Sequence, residues 1–111
     1  MKREQRLTRK SQYNLVYSQG KSWANELLVM KALPNGLELS RFGFPVSKRV
    51  GKAVVRNRVR RLLRECVRLT PYKPGWDVVL IARSPASEAD YHRLKRAVEN
   101  LAWRAHLVKQ P

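Results

Sequence analysis

The chain has 111 residues, which fits a single domain, and its 43% of hydrophobic residues excludes global disorder. With 24 lysines and arginines against 8 acids, the formal net charge of +16 predicts a polyanionic partner, although charge alone leaves DNA, RNA and an anionic membrane open. A single cysteine excludes an internal disulfide and a cysteine-based metal cluster. The longest aliphatic run, residues 78–82, is too short to span a bilayer. Both observations favour a cytoplasmic protein.

The first predicted elements are a basic arm and a short helix. Residues 1–10 carry five basic residues against one acid and are predicted to form a flexible arm, with Leu7 as its apolar anchor, that orders when nucleic acid binds. Ser11 is predicted to cap the helix, because serine accepts hydrogen bonds from the free N–H groups of a first turn. Tyr13 and Tyr17 share one face of this helix. Spacing alone leaves two interpretations open: packing on the domain, or stacking on unpaired bases at ~1–3 kcal/mol per base.

Two extended runs follow, separated by a turn at residues 34–36. Residues 21–33 are mostly apolar, and residues 37–46 alternate between apolar and polar side chains, which is typical of a half-buried strand. A hairpin between the two runs is the simplest interpretation. Pro45 predicts a sheet edge or a missing hydrogen bond in the second run, because proline has no N–H to donate.

A basic helix dominates the middle of the chain. From Arg41 to Arg68 there are ten lysines or arginines and one acid, Glu65. The apolar residues recur at intervals of three and four, which predicts one stripe of an amphipathic helix of about 16 residues. This stripe consists of Val55, Val59, Leu62, Leu63, Cys66 and Leu69. Polar residues fall on the opposite side, with Arg56 and Arg58 at its borders: Asn57, Arg60, Arg61, Arg64 and Arg68.

The arginines of this helix repel one another at i,i+3 and i,i+4 spacing, at about 0.3 kcal/mol per pair in an isolated helix. A basic loop over residues 47–52 leads into the helix and could meet phosphate with backbone N–H groups. The alternative is a solvated surface, but such surfaces normally mix charges of both signs. We therefore expect the polar side of the helix to bind nucleic acid.

The last elements complete the predicted fold. Residues 77–82 are a continuous apolar run that predicts a central strand, and Asp90 is predicted to cap a last helix that reaches about residue 108. The order helix, strands, helix, strand, helix indicates an α+β fold, or an α/β sandwich, around one sheet. If the strands that flank the basic helix are parallel neighbours, their crossover is expected to be right-handed.

No set of residues indicates a catalytic site. The eight acids are scattered, without the clustered carboxylates of two-metal phosphodiester cleavage. His92 and His106 lie fourteen residues apart on the predicted last helix, or ~21 Å along its axis, too far to act together on one phosphate. Cys66 lies on the apolar stripe and is interpreted as a core residue. The residues themselves therefore predict a binding protein, with no catalytic residues and no metal ligands.

Residues 42–65 strongly resemble the signature of the bacterial ribonuclease P protein component. The core of the signature is Arg56-Asn57-Arg58, followed by basic residues at positions 60, 61 and 64. That triplet alone is a weak signal, but the whole string is highly specific. The resemblance extends over nearly the full chain, including the tyrosine helix, the apolar strand with its following Pro85-Ala86-Ser87, and the last helix.

The resemblance implies an accessory subunit, because in that family a large catalytic RNA performs the hydrolysis with Mg²⁺. The holoenzyme removes the 5′ leader from precursor tRNA. The implied partners are the ribonuclease P RNA and precursor tRNA, with no membrane and no protein oligomer required. The implied fold is a small α/β sandwich with one mixed sheet, related to a ribosomal-protein domain. Its crossover around the basic helix is left-handed, against the general default.

Site residues are carried over by position. The surface implied to meet the catalytic RNA consists of Arg56, Asn57, Arg58, Arg60, Arg61 and Arg64. The charge of the basic loop and helix adds Lys48, Arg49, Lys52 and Arg68 to the predicted RNA-binding residues. The cleft between the first helix and the sheet is implied to hold the single-stranded leader, and Tyr13 and Tyr17 match aromatic positions of the family, which favours base stacking. Lys31 occupies the part of the first long strand where some members have a further aromatic residue. The family is linked to bound metal near the basic helix, but no carboxylate cluster lets us assign protein ligands.

Three alternatives come from other classes. A ribosomal or general RNA-binding protein without a processing role would use the same basic helix, and precursor tRNA with and without its leader separates the two functions. A DNA-binding regulator would need a compact partner helix and usually a dimer surface. A self-sufficient ribonuclease is disfavoured because no acid–base cluster is evident.

Overall fold

The computed structural model describes residues 1–109 and contains three helices and four strands in one domain. The helices are α1 (Lys10–Gln19), α2 (Ala53–Arg68) and α3 (Tyr91–Arg104), with short 3-10 helices at Arg3–Gln5 and Ser84–Glu88. The strands are β1 (Lys21–Ala24), β2 (Leu28–Pro34), β3 (Arg41–Gly43) and β4 (Trp76–Ala82), in the sheet order β1-β2-β4-β3. β3 pairs with β4 in parallel and the other pairs are antiparallel, so the predicted α+β fold with one mixed sheet is confirmed.

One face of the sheet carries the larger hydrophobic core. Alternate residues of β2 point into it, as expected for a strand, and helices α2 and α3 cover it. Their buried side chains include Leu28 and Met30 of β2, Val78 and Leu80 of β4, Val59 and Leu63 of α2, and Leu94, Val98 and Leu101 of α3. Because the apolar stripe of α2 lies in this core, the polar side of the helix must face outward.

Helix α1 covers part of the opposite face. Val16 of α1 is fully buried with Leu7 and with Val79 of β4, and Tyr13 is partly buried at the margin of this smaller cluster. Lys31 of β2 is only half-buried on this face. The second face is therefore only partly covered, and its open margin is where a ligand can reach the sheet.

The predicted hairpin between residues 21–33 and 37–46 is wrong. The first run forms its own hairpin, β1–β2, around Asn25, whose side-chain oxygen accepts from the N–H groups of Leu27 (3.2 Å) and Leu28 (3.0 Å). β2 then pairs with β4, which lies between β2 and β3. Alternation predicts that a segment is extended but not which strand it pairs with, and the more apolar β4 takes the central position. β3 lies at the sheet edge, as Pro45 predicted.

Helix α2 has the 16 residues that its periodicity predicts. One member of the predicted stripe is misplaced: Leu69 follows the end of the helix and is 50% exposed, whereas Val67 is buried. β3 and β4 are parallel neighbours joined through α2, so the link between them is a crossover. Its left-handed sense remains a prediction.

The other two helices differ from their predicted ends. α1 begins at Lys10, before the predicted Ser11 cap, and the side-chain oxygen of Gln12 instead accepts from the N–H groups of Thr8 and Arg9, both at 3.0 Å. α3 ends at Arg104 and not near residue 108.

A residue in the left-handed backbone conformation ends α3. His106 has φ 59°, its N–H donates to Trp103 O (3.1 Å), and the N–H of Leu107 donates to Ala102 O (2.9 Å). These two bonds form a Schellman motif, in which glycine usually takes the position of His106. The absence of glycine removed the signal that would have predicted this stop.

A buried ion pair fixes the chain between β2 and β3. Asp77 of β4 is 4% exposed and accepts from Arg41 Nε (2.8 Å) and Nη2 (2.7 Å) of β3, and from Asn35 Nδ2 (3.0 Å). The side chain of Asn35 also donates to Leu39 O (3.1 Å). This two-pronged pairing favours the charged guanidinium and raises the pKa of Arg41 further. The network holds the loop of residues 35–40 against the sheet.

The N-terminal segment runs beside β3. The N–H of Leu7 donates to Phe42 O (2.9 Å), and Leu7 itself is buried. The 3-10 helix before it buries no side chain. Leu7 therefore holds the segment on the sheet, while the flexibility of the arm as a whole remains a prediction. Within residues 1–109, no helix is long and apolar enough to cross a membrane.

Candidate nucleic-acid interface

The polar side of α2 faces solvent over most of its length. We call it the basic face of α2, made up of Asn57, Arg60, Arg61, Arg64 and Arg68. All except the half-buried Arg60 are exposed. Glu65 is the only acid of the helix, and it pairs with Arg68 (Nε–Oε2 3.0 Å), whose guanidinium holds the pKa of Glu65 below its ordinary value. The remaining arginines of the face have no acidic partner on α2, so the face is strongly cationic.

Asn57 and Arg60 are joined on this face. Arg60 Nη1 donates to Asn57 Oδ1 over 2.8 Å, one turn apart along the helix. The bond occupies the amide oxygen of Asn57 and leaves its NH₂ group free to donate to a base edge or a ribose. The pair therefore combines a charge for phosphate with a neutral donor.

The two border arginines are more constrained than the sequence indicates. Arg58 donates to the backbone oxygens of Ser87 and Ala89, which ties α2 to the segment before α3. On the other border, Arg56 Nε is buried without a hydrogen-bond partner among the described residues. Arg58 is therefore partly a structural residue, and its replacement would disturb packing as well as charge.

The basic loop places three more cations at the start of α2. Lys48 and Arg49 are exposed in the turn closed by the N–H of Val50 and Ser47 O (3.1 Å). Lys52 occupies the N-cap position, and its side chain makes no capping bond. The structure thus places these three predicted residues at the N-terminal end of the basic face.

A cleft of about 210 Å³ opens between α1, β3 and α2. We call it the tyrosine cleft. Its lining includes Tyr13 of α1, Arg60 and Arg64 of α2, Gly43 and Phe44 at the end of β3, and Arg6 of the N-terminal segment. The structure therefore brings one predicted tyrosine together with two arginines of the basic face.

The position of Tyr13 is set by two contacts. Its hydroxyl donates to Leu7 O (3.3 Å), and its ring lies over the backbone of Gly43, where an added Cβ would come within 2.3 Å of the hydroxyl oxygen. Tyr17 is 41% exposed, and its ring centroid lies 6.4 Å from that of Tyr13 with 42° between the ring planes. Burial raises the pKa of Tyr13 and of Tyr17, so both hydroxyls stay neutral and do not repel phosphate.

Lys31 lies on the same sheet face but apart from this cleft. Strand pairing places Gly43, Val79 and Lys31 in one row across β3, β4 and β2. Two strand spacings separate Lys31 from Gly43, or about 10 Å. Lys31 can therefore contact the same extended ligand as Tyr13, but at a different point along it.

Groups with catalytic chemistry do not gather here. Cys66 is fully buried, and burial raises the pKa of its thiol to about 11, so the thiol stays protonated and fits the predicted core role. His92 lies on α3, whereas His106 follows its end. Among residues 1–109 no group of three or more histidines, cysteines and acids is placed to hold a metal ion. The site is an arrangement of cations and aromatic rings.

The sequence predicts that the N-terminal segment orders on nucleic acid, but it does not place the segment beside the tyrosine cleft. Arg6 was assigned to a flexible arm, yet it lines the tyrosine cleft. Leu7, predicted as the apolar anchor of the arm, is buried in the structure, and its packing holds the neighbouring Arg6 at the cleft. The ties of Arg58 to backbone oxygens had no sequence signal.

Comparison with known proteins gives concordant matches. The family model described as Ribonuclease P matches residues 1–106. A ribonuclease P protein component from Dehalococcoides mccartyi is 47% identical over 110 residues, covering 99% of this chain and 92% of the relative. One from Caldanaerobacter subterraneus is 45% identical over 107 residues, covering 95% and 92%.

Solved structures agree. The RNase P protein of Staphylococcus aureus superposes with a TM-score of 0.86 at 28% identity, covering 95% of this chain and 98% of that one. The RNase P protein from Thermotoga maritima superposes with a TM-score of 0.82 at 32% identity, covering 89% and 96%. The likeness therefore includes both the sequence and the arrangement of helices and strands.

Proposed function

Because this chain belongs to the ribonuclease P protein family, we propose that it is the protein subunit of a ribonuclease P ribonucleoprotein that removes the 5′ leader of precursor tRNA. Its partners are the ribonuclease P RNA and precursor tRNA. One protein chain serves in the assembly, which works in the cytoplasm. The single observation that carries the proposal is that Tyr13 lines the same cleft as Arg60 and Arg64. A surface for phosphates and a surface for bases thus meet at one place.

The basic face of α2 contacts the catalytic RNA together with the border arginines and the basic loop. Its residues neutralise phosphates where two RNA molecules approach each other, which lowers the concentration of Mg²⁺ needed for assembly. Arginine suits this role because its planar guanidinium donates two hydrogen bonds to one phosphate. Each phosphate contact steepens the logarithmic salt dependence of binding by about 0.7 to 0.9.

The tyrosine cleft holds the single-stranded leader. Tyr13 and Tyr17 stack on unpaired bases, and Lys31 contributes a charge on the same face of the sheet. Stacking is tolerant of sequence because every base has a flat face, which suits a subunit that handles leaders of many sequences. A precursor fills the cleft and a mature tRNA does not. The cleft therefore converts affinity for the leader into preference for substrate over product.

The chemical step belongs to the RNA subunit and its Mg²⁺, which supplies the charge stabilisation and activated water of phosphodiester hydrolysis. The protein contributes no catalytic residue and no metal ligand to this step. What its residues do is bind, orient and neutralise: the arginines of α2 hold RNA backbones close together and the tyrosines position the leader.

The decisive experiment is cleavage of a precursor tRNA at low Mg²⁺ concentration, with the protein alone, a bacterial ribonuclease P RNA alone, and the two together. We expect cleavage at the leader junction only in the mixture. Cleavage by the protein alone would show that the polypeptide has a catalytic site of its own. Failure to activate a cognate RNA would reduce the protein to a general RNA-binding domain.

A further inference from the structure

Three arginines of the N-terminal segment line a second groove, next to the tyrosine cleft. This N-terminal groove has a volume of about 590 Å³ and lies between the segment and the chain that leads into β3. Its lining includes Arg3, Arg6, Arg9 and Arg41, together with Glu4 and Leu39. Arg6 lines the tyrosine cleft as well, so the two concavities meet at this side chain.

The groove carries uncompensated positive charge. Arg41 is neutralised by its ion pair with Asp77. Within residues 1–109 none of Arg3, Arg6 and Arg9 takes part in an ion pair, and Glu4 is the one acid in the lining. Three arginines thus face one acid, which favours a polyanionic occupant.

Four hydrogen bonds tie the backbone around Arg6 and Arg9 to the domain. Between them, the N–H of Leu7 donates to Phe42 O and the carbonyl of Leu7 accepts from the Tyr13 hydroxyl. The N–H groups of Thr8 and Arg9 both donate to Gln12 Oε1. These bonds hold the backbone that carries the two arginines, so less backbone entropy is lost on binding than in an unanchored tail.

The chemistry of the groove differs from that of the cleft. The cleft offers the ring of Tyr13, whereas the lining of the groove contains arginines, other polar side chains and two leucines, with no aromatic ring. Arginines without a stacking surface recognise the phosphate backbone and not the bases. A strand that leaves the cleft past Arg6 therefore changes from base contacts to phosphate contacts.

We propose that Arg6 and Arg9 continue the leader-binding site, and that they bind phosphates of leader nucleotides farther from the cleavage site than those at Tyr13. Arg60 and Arg64, which are proposed to meet the catalytic RNA, place the cleavage site on the α2 side of the cleft. Arg6 lies beside the outer edge of β3, on the side of Gly43 away from Lys31, so the proposed path leaves the cleft over that edge of the sheet. This inference rests on the proposed function, because it requires the leader to occupy the tyrosine cleft. Its consequence is that affinity depends on leader length.

The test uses the holoenzyme with the double variant Arg6→Gln/Arg9→Gln, at protein concentrations that saturate the RNA subunit. Affinity is measured for precursor tRNAs whose leaders grow one nucleotide at a time, at several salt concentrations. The charge-matched control is Arg93→Gln/Arg96→Gln, which removes two exposed charges from α3, on the other face of the sheet, one of them paired with Glu26 at the surface. Because the Arg6 and Arg9 side chains are exposed, glutamine should leave the fold unchanged, which a thermal melt checks.

We expect the variant and the wild type to bind short leaders equally and to diverge once the leader reaches Arg6. For long leaders the variant should bind about tenfold more weakly, with its logarithmic salt slope reduced by roughly 1.4 for two lost contacts. Equal weakening for all leaders, including mature tRNA, would assign the arginines to another RNA surface and overturn the inference. If the variant and the wild type bind equally at every leader length, Arg6 and Arg9 contact solvent and not the leader, and the inference is wrong. If the wild type itself does not prefer leader-bearing tRNA, the proposed function fails first.

Discussion

Replacement of Gly43 by alanine should displace Tyr13 from the cleft without unfolding the protein. The new Cβ would lie 2.3 Å from the Tyr13 hydroxyl oxygen and 2.5 Å from the nearest ring carbon, so the ring has to move. Because Tyr13 is only half-buried, the end of its side chain can move at little cost in free energy. The move breaks the hydrogen bond to Leu7 O, worth about 0.5–1 kcal/mol. Alanine also has fewer backbone conformations than glycine in the unfolded chain. This stabilises the folded state by about 0.4–1 kcal/mol and offsets the lost hydrogen bond.

The two effects on stability nearly cancel, whereas the effect on binding does not. The free energy of unfolding should change by less than about 0.5 kcal/mol. If Tyr13 stacks on a leader base, its displacement removes ~1–3 kcal/mol of binding free energy, or roughly 5- to 150-fold in affinity for precursor tRNA. Affinity for mature tRNA should stay the same. Urea unfolding and equilibrium binding to the assembled holoenzyme measure the two quantities.

A double-mutant cycle with Tyr13→Ala supplies the refutation. When the ring is already absent, Gly43→Ala has nothing to displace, so the two substitutions should not add. If Gly43→Ala weakens leader binding as much in the Tyr13→Ala background as in the wild type, the glycine acts on the leader by another route and the reasoning fails.

Three further predictions concern charge, burial and pH. Arg61→Gln should lower holoenzyme activity at low Mg²⁺ and reduce the salt slope of RNA binding by about 0.7 to 0.9, because one exposed phosphate contact is lost. Asp77→Asn should destabilise the fold by roughly 2–3 kcal/mol in urea unfolding, because the substitution leaves the mostly buried Arg41 without its counter-charge. The free energy of unfolding should fall as pH rises from about 9 to about 11. The pKa of Cys66 is raised in the folded state, so its stabilising effect is complete below pH 9 and disappears as the buried thiol ionises.

Each of these predictions has a control. Arg93→Gln removes an exposed charge from α3 and should not change the Mg²⁺ requirement; an equal change would mean that net charge alone is responsible. Asp90→Asn keeps a helix cap and should cost far less than Asp77→Asn. Cys66→Ala should remove the fall between about pH 9 and 10, whereas the raised pKa values of Tyr13, Tyr17 and Tyr72 leave part of the fall above pH 10. An unchanged slope between pH 9 and 10 would assign the fall to groups other than Cys66.

The basic helix was predictable because its signal is local. Periodicity along one segment determines which side chains share a face, and the length and exposed side of α2 follow from it. The pairing of strands was not predictable in this way, because β4 is separated from β2 by the whole of α2 and no local pattern specifies that contact. The predicted end of α3 was wrong for a different reason. His106 adopts the left-handed backbone conformation at a position where glycine usually signals the end of a helix.

The candidate site also contains residues that local spacing predicts and residues that depend on tertiary contacts. The arginines of α2 and the shared face of Tyr13 and Tyr17 follow from helical spacing, and the resemblance supplied their role. That Arg64 and Tyr13 line one cleft depends on how α1 and α2 pack beside β3, which is a tertiary result. The structural tie of Arg58 and the entry of Arg6 into the cleft also depend on contacts between segments distant in sequence.

The central place of β4 has a consequence for synthesis of the protein on the ribosome. A nascent chain that has emerged through residue 68 already contains the whole basic face, but it lacks the strand that joins β2 to β3. Until residues 76–82 appear, the sheet cannot close and the apolar stripe of α2 has only a partial surface to pack against. Distant pairings of this kind form late. Competence to bind RNA in a defined orientation is therefore delayed until residues 76–82 have emerged, although most of the positive charge is already present by residue 68.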